Sequence, residues 1–480
     1  MNKGTNHLKA METTYDAASR VTAINRTLNG SGTNVSTLLA YDSADRVTTL
    51  THQVSGGSML DSLVYGYDSG GRLKTETNTE GLATYGYDAA NQLTSVSRPA
   101  GQTNESYSYD SGGNRTMTGY TTGVGNELLA SPGATYAYDA EGNMTAKTET
   151  TTGNVWSYTY DIRNRMTGVT EKNSGGSVIY QASYTYDALD RRIATTVNGT
   201  TAWMVYDGQN TYADFSGAGM FKTRYLYGPA VDALLARTDA SGTTAWYLTD
   251  RLGSVRDLAS TSGTALDHLT YDAYGNIVSE SNPSNGDRFK WTAREWDGTT
   301  GLQFNRHRYY APSVGRFGGT DNLGLESGDY NTWRYVNDSP TQSTDPNGQQ
   351  ESPVDFGGSF TITYEVGSDS LLFGFGPNMS YSARGNYPGF SLAPTWKYDS
   401  GRYGFSGFNL SPQTPDPGIT LAYPKQPETF PDPYTGVPPV YSPGTPGKRQ
   451  PIWSRPGHTF GPRPWWRTPF HPRGGFRPRR

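Results

Sequence analysis

A chain of 480 residues with 34% hydrophobic and 18% charged residues, 58 glycines and 35 tyrosines is poor material for long helices. It contains no cysteine, which excludes disulfides, thiolate metal sites and a cysteine nucleophile. The net charge of −4 hides a split: nine Lys/Arg and no acid follow Asp432, leaving −13 on the chain up to that residue.

The opening MNKGTNHLKAM lacks the apolar core of a secretory signal, and no stretch approaches the roughly 20 apolar residues of a membrane span. A repeat then dominates. Its first copies are Tyr15-Asp16-Ala17-Ala18-Ser19-Arg20-Val21-Thr22 and Tyr41-Asp42-Ser43-Ala44-Asp45-Arg46-Val47-Thr48. Further copies start at Tyr67, Tyr87, Tyr109, Tyr138, Tyr160 and Tyr186, at spacings of 20 to 29 residues, and a degenerate copy starts at Tyr271. Alternation such as Tyr65-x-Tyr67 and Tyr184-x-Tyr186 has the period of two of a half-buried strand. The aspartate is placed to accept backbone N–H bonds two residues on. The Gly/Asn/Asp position supplies the positive φ of a short hairpin loop with a bulge. A lone hairpin of this size cannot offset its ordering entropy, so consecutive hairpins must stack edge to edge into one sheet.

These residues resemble the RHS/YD-repeat family, which includes bacterial Rhs proteins, Tc-toxin C components and the YD shell of teneurins. The likeness continues beyond the repeats. Trp246-Tyr247 and Asp250-Arg251-Leu252-Gly253-Ser254-Val255-Arg256 resemble a family segment. Arg306-His307-Arg308-Tyr309-Tyr310 and Gly315-Arg316-Phe317 resemble the repeat-associated core, and Asn331 to Gly348 its closing plug. The resemblance implies an all-β spiral shell, partial with so few copies, over residues 11–245, with core and plug over 246–349. It also implies a structural protein of polymorphic-toxin type that encloses or presents its own variable C-terminal segment, with or without a shell-completing partner protein. Cell-surface carbohydrate or protein binding through tyrosine-rich faces is the alternative. Nucleic acid is not an expected partner, no cofactor is implied, and a secreted or cell-surface location would need a route other than an N-terminal signal.

The family's core can cut itself with an aspartate pair after a DPxGL motif. The resemblance maps that pair to Asp321 and Asp345, with the cut near Gln349. Two neighbouring carboxylates cannot both ionise cheaply, so one serves as acid and the other activates water. Several positions depart from the family. Thr320 stands for an Arg, Asn322 for a Pro, Ala311 for an Asp and Gln349 for a Leu. These departures favour reading Asp321 and Asp345 as turn-formers in a chain that is not an enzyme. His307 reads as a packed core histidine, and the six histidines show no metal-ligand spacing.

Past the plug, Phe360-Thr361-Ile362-Thr363-Tyr364 and the runs around Phe390, Trp396 and Tyr403 alternate as strands, giving a small β module over 350–414. The segment 415–480 reads as a disordered tail: 18 prolines fall among the last 70 residues, interleaved with Arg and Trp.

Overall fold

The computed structural model describes residues 9–28, 34–228 and 230–349, together with strands at 352–353, 360–366, 369–375, 390–399 and 402–412. Nine strands, from Lys9–Tyr15 to Glu105–Ser106, form a first sheet. Sixteen, from Thr121–Thr122 to Ile277–Glu280, form a second. In each sheet every strand pairs with its sequence neighbours, so both are meanders of hairpins, as stacking repeats require. The second sheet runs on through the degenerate Tyr271 copy.

The repeat chemistry is visible atom by atom. Asp161 Oδ1 accepts the Arg163 and Arg165 amides at 2.9 and 3.1 Å, closing the turn, and Oδ2 accepts Arg165 Nε at 2.7 Å. The position before the arginine is left-handed in every copy: Ser19, Asp45, Gly71, Asn91, Gly113, Gly142, Asn164 and Asp190 all have φ between 59° and 82°. Small, turn-prone side chains therefore recur there. A bulge at every motif tyrosine but Tyr109, which makes only an isolated bridge to Arg115, resets the register, for example between Thr159 and Tyr160. Each unit is then stapled to the one before it. Tyr186 donates to Met166 O at 2.7 Å while Arg165 lies 4.8 Å from its ring centroid. Tyr41, Tyr67 and Tyr87 repeat this with Val21, Val47 and Leu73 O under Arg20, Arg46 and Arg72. One turn thus supplies the lid for the next tyrosine.

Alternation decides what faces inward. In Val178–Tyr186, Tyr180, Ala182 and Tyr184 are buried while Gln181, Ser183 and Thr185 are exposed. The buried tyrosines do not line an empty space. Trp156, Tyr158, Tyr180 and Tyr184 share a core with Leu302, Phe304 and Tyr309. Tyr225, Tyr247 and Tyr271 share another with Phe289, Trp291, Tyr310, Phe317 and Tyr335. The inner face of the second sheet is therefore covered by a third, four-stranded sheet (Glu295–Asp297, Leu302–Asn305, Arg308–Ala311, Arg316–Phe317) and the segment after it. The first sheet overlaps the second: Val35 packs on Trp246, Leu248 and Ala259, and a Cβ on Gly263 would lie 1.8 Å from Val54. Only glycine permits that approach.

Met1–Asn386 and Tyr387–Arg480 are separate compact units. Within the first, Phe360–Val366 and Asp369–Phe375 pair as a hairpin; within the second, Phe390–Asp399 pairs with Arg402–Pro412. The expected tail at 415–480 lies outside the described residues.

Candidate functional site

The closing segment Asn331–Gln349 is fixed to the wall by a substitution pattern in the repeats. The arginine that covers the next tyrosine is replaced in three consecutive copies, by Gln92, Asn114 and Asn143. Gln92 Nε2 donates to Asp338 Oδ2 at 3.0 Å, and Asn331 Nδ2 donates to Asn114 Oδ1 at 3.0 Å. In the third copy Trp333 Nε1 donates to Gly142 O at 3.2 Å and Thr320 Oγ1 to Glu141 O at 2.9 Å. The space an arginine would fill is given to the plug. Residues Val336, Asn337 and Asp338 are all left-handed, with φ of 40°, 54° and 57°, so this contact turn is strained and held by its surroundings.

The segment next crosses the turn between Leu302–Asn305 and Arg308–Ala311. Asn305 Nδ2 donates to Asp345 O at 2.7 Å, Arg306 Nη1 to Pro346 O at 2.6 Å, and Arg294 Nη1 to the same oxygen at 3.1 Å. His307 N and Nδ1 both lie 3.1 Å from Asn347 O, a positioning role that matches its expected place in the core. Gly348 has φ 68°, and a Cβ there would meet Asn305 O at 2.7 Å.

Arg308 brings the two candidate aspartates together. Its Nη2 lies 2.9 Å from Asp321 Oδ2 and 3.5 Å from Asp345 Oδ2. Its Nη1 donates to Thr332 O at 2.7 Å and its Nε to Gly348 O, while the guanidinium sits 3.6 Å from the Phe317 ring centroid. Asp321 is 7% exposed and Asp345 3%. Burial raises the Asp321 carboxyl above its ordinary value, and Arg308 only partly opposes this. Asp345 Oδ1 accepts the Gly348 and Gln349 amides at 2.8 and 3.1 Å, and Gln349 Nε2 reaches Asn322 Oδ1 at 2.8 Å. Two buried carboxyls, a shared cation and a backbone carbonyl thus meet at the segment to which the family resemblance assigns a cut. The Asx-type bonds of both aspartates equally satisfy their reading as turn-formers.

Sequence reasoning missed Arg308, whose role depends on contacts from three distant segments. It also missed the meaning of Gln92, Asn114 and Asn143, although three successive departures from one repeat position were a readable signal. Among the described residues no group of His, Asp and Glu has the geometry of a metal site.

Residues 77–334 match the family model described as Teneurin YD-shell. The tRNA3(Ser)-specific nuclease WapA of Bacillus spizizenii is 31% identical over 277 residues, covering 55% of this chain and 10% of that protein. The toxin protein Tse5 of Pseudomonas aeruginosa is 32% identical over 104 residues, covering 22% of this chain and 8% of that protein. The chain thus spans about a tenth or less of the length of these two relatives. The Tc holotoxin pore of Photorhabdus luminescens superposes with a TM-score of 0.54 at 16% identity, over 72% of this chain and 21% of that one; the likeness is one of fold.

Proposed function

The chain belongs to the teneurin YD-shell family, and from that premise we propose that it is a structural shell module of polymorphic-toxin type that encloses or presents the polypeptide following Gln349. The observation that carries this reading is the joint between wall and plug: two repeats give up their arginine to side chains that bond residues 331–338, and a third receives Trp333 on its Gly142 carbonyl. A wall altered for its plug is a container wall, and it fixes the point from which the following segment departs. The same reading allows a shell-completing partner protein and an extracellular site of action. Among the described residues no helix is long and apolar enough to cross a membrane. Limited proteolysis of the native chain tests the proposal. An enclosed segment resists digestion within 411–480 until the shell is denatured, whereas cleavage there at the rate of the unfolded chain contradicts enclosure.

A second reading, self-cleavage, is favoured by the convergence of Asp321 and Asp345 on Arg308 beside the Gly348 carbonyl. One carboxyl held protonated and one ionised would supply acid and base, and the guanidinium would steady charge on the carbonyl oxygen. Mass spectrometry decides it. A break near Gln349 that Asp321→Asn abolishes supports cleavage; an intact 52.3 kDa chain rejects it.

A further inference from the structure

The overlap between the first and second sheets is closed by charge as well as by apolar packing. Glu80, in the turn after Leu73–Asn78, reaches across to the second sheet, where Arg256 Nη2 lies 2.7 Å from its Oε2 and His268 Nε2 2.7 Å from its Oε1. The other ring nitrogen of His268 lies 2.7 Å from Asp257 Oδ1, so both imidazole nitrogens face carboxylates and the ring is held as a cation. Asp61, on the first-sheet strand Met59–Tyr67, lies at the same overlap: it pairs with His52, whose Nε2 is 3.1 Å from Thr249 O of the second sheet. Asp61 is 0% exposed and Asp257 is 4% exposed. Asp61 Oδ1 accepts the Ser62 amide at 2.8 Å, but Oδ2 of Asp61 and Oδ2 of Asp257 are both buried without a hydrogen-bond partner.

We propose that this overlap is a proton-controlled seam, in which a neutral Asp61 keeps the first sheet on the second and an ionised Asp61, buried with one oxygen unpartnered beside the Glu80–Arg256–His268–Asp257 cluster, loosens it. The inference concerns the regulation of the shell and takes its biological meaning from the shell reading. Its physical basis is local. The buried cations facing the cluster are Arg256 and His268, and both are already engaged by Glu80, with Asp257 also on His268. His52, paired with Asp61 in the neighbouring strand, contributes no charge: its ring is buried between Thr37 Oγ1 and Thr249 O, and burial, with Arg26 second, pushes it down to about 3. Asp267, on the His268 strand, adds a further buried carboxylate, bonded to Ser281 and Asn282. Burial, and then the charge of Asp257, push Asp61 up to about 6. A carboxyl raised in the folded state stabilises below its unfolded value and loses that contribution as pH rises through the folded one. The seam is therefore tightest in acid and loosens towards neutrality. His268, raised to about 10 by Asp257 and Glu80, and Glu80, held down at about 2 by His268 and Arg256 against its burial, keep their charges across this range.

The test is hydrogen exchange of the full chain at pH 5.0 and 7.5, corrected for intrinsic chemistry, reading the strands Val35–Tyr41, Val47–Val54 and Met59–Tyr67. The shift of Asp61 predicts opening about tenfold more frequent at pH 7.5. Asp61→Asn should reduce that ratio to below about twofold by removing the titrating group. A wild-type chain whose corrected exchange is the same at both pH values overturns the proposal, and so does a variant that keeps the full ratio. Should Asp61→Asn fail to fold, the same comparison on Asp250→Asn decides, because Asp250 is also raised to about 6, by burial and then by Glu76 of the first sheet: a ratio that stays near tenfold keeps the seam on Asp61, and one that disappears overturns it. Proteolysis of 411–480 run alongside separates the two readings: digestion at both pH values defeats enclosure without touching the seam, while a protected tail with pH-independent exchange defeats the seam alone.

Discussion

Tyr186 shows how one side chain can carry a repeat. Its hydroxyl meets Met166 O and its ring lies under Arg165. Tyr186→Phe leaves that carbonyl without its donor and should lower stability by about 1 kcal/mol in urea unfolding. Tyr186→Leu also removes the ring face and should lower it by a further ~1 kcal/mol. Arg308 is the opposite case, since its partners are two buried carboxyls. Arg308→Met strands both, with an expected loss of about 3–5 kcal/mol. Adding Asp321→Asn should recover part of that loss, because one uncompensated charge is then gone. A double variant no more stable than Arg308→Met would show that the guanidinium acts through its backbone bonds to Thr332 and Gly348 instead.

At the scale of the hairpin, the sequence was most readable where the chemistry is local. The tyrosine alternation, the Asx turn and the left-handed position lie within a few residues of one another, and each forms as its spacing predicts. Two further units do not read as repeats because each keeps only part of the motif: Tyr206-Asp207 lacks the spacing and the arginine, and Asp250 lacks the tyrosine. Tyr206, before an unusually tight turn, still donates to Arg192 O under Arg191, and Asp250 closes its turn on Leu252 and Ser254 with Thr249 in the tyrosine position. The closing plug was legible as a block but not its docking site, since Gln92 and Asn114 acquire meaning only through Asp338 and Asn331, more than 200 positions away. That difference can be measured. Asn114→Arg restores the repeat consensus but places a guanidinium where Asn114 meets Asn331 and Asn126, so it should destabilise by about 1–3 kcal/mol and shift Trp333 emission to longer wavelength. Arg165→Asn removes a consensus arginine from the open wall and should cost about 1 kcal/mol without moving that emission.

For the molecule as a whole, half-buried carboxyls in the repeat turns and more deeply buried ones elsewhere form two sets with opposite pH signs. In the repeat turns burial works to raise Asp161 and Asp187, yet the arginines and amides they bind outweigh it and hold both below the usual carboxylate range. Their contribution is present above the unfolded value and disappears as pH falls through the lower, folded one. Asp250 and Asp338 behave in reverse. Burial, with Glu76 second, pushes Asp250 up to about 6, and burial pushes Asp338 up to about 7 despite Arg334 and Gln92. These two stabilise the fold in acid and withdraw that support as pH rises through 6 and then 7. Thermal unfolding followed by circular dichroism from pH 3 to 9 should therefore peak between about 4 and 6, with an acid arm set by the repeat turns and an alkaline arm set by Asp61 and Asp250 where the two sheets overlap and by Asp338 in the plug. Asp338→Asn isolates the plug's share of the second arm. The amide cannot ionise, so the variant should match the wild type near pH 5 and exceed it near pH 8, by up to about 2.5 kcal/mol if the whole shift is expressed. A variant weaker than the wild type at both pH values would mean that the Gln92 contact needs a carboxylate, and that the plug is held by charge even at the alkaline end of its range.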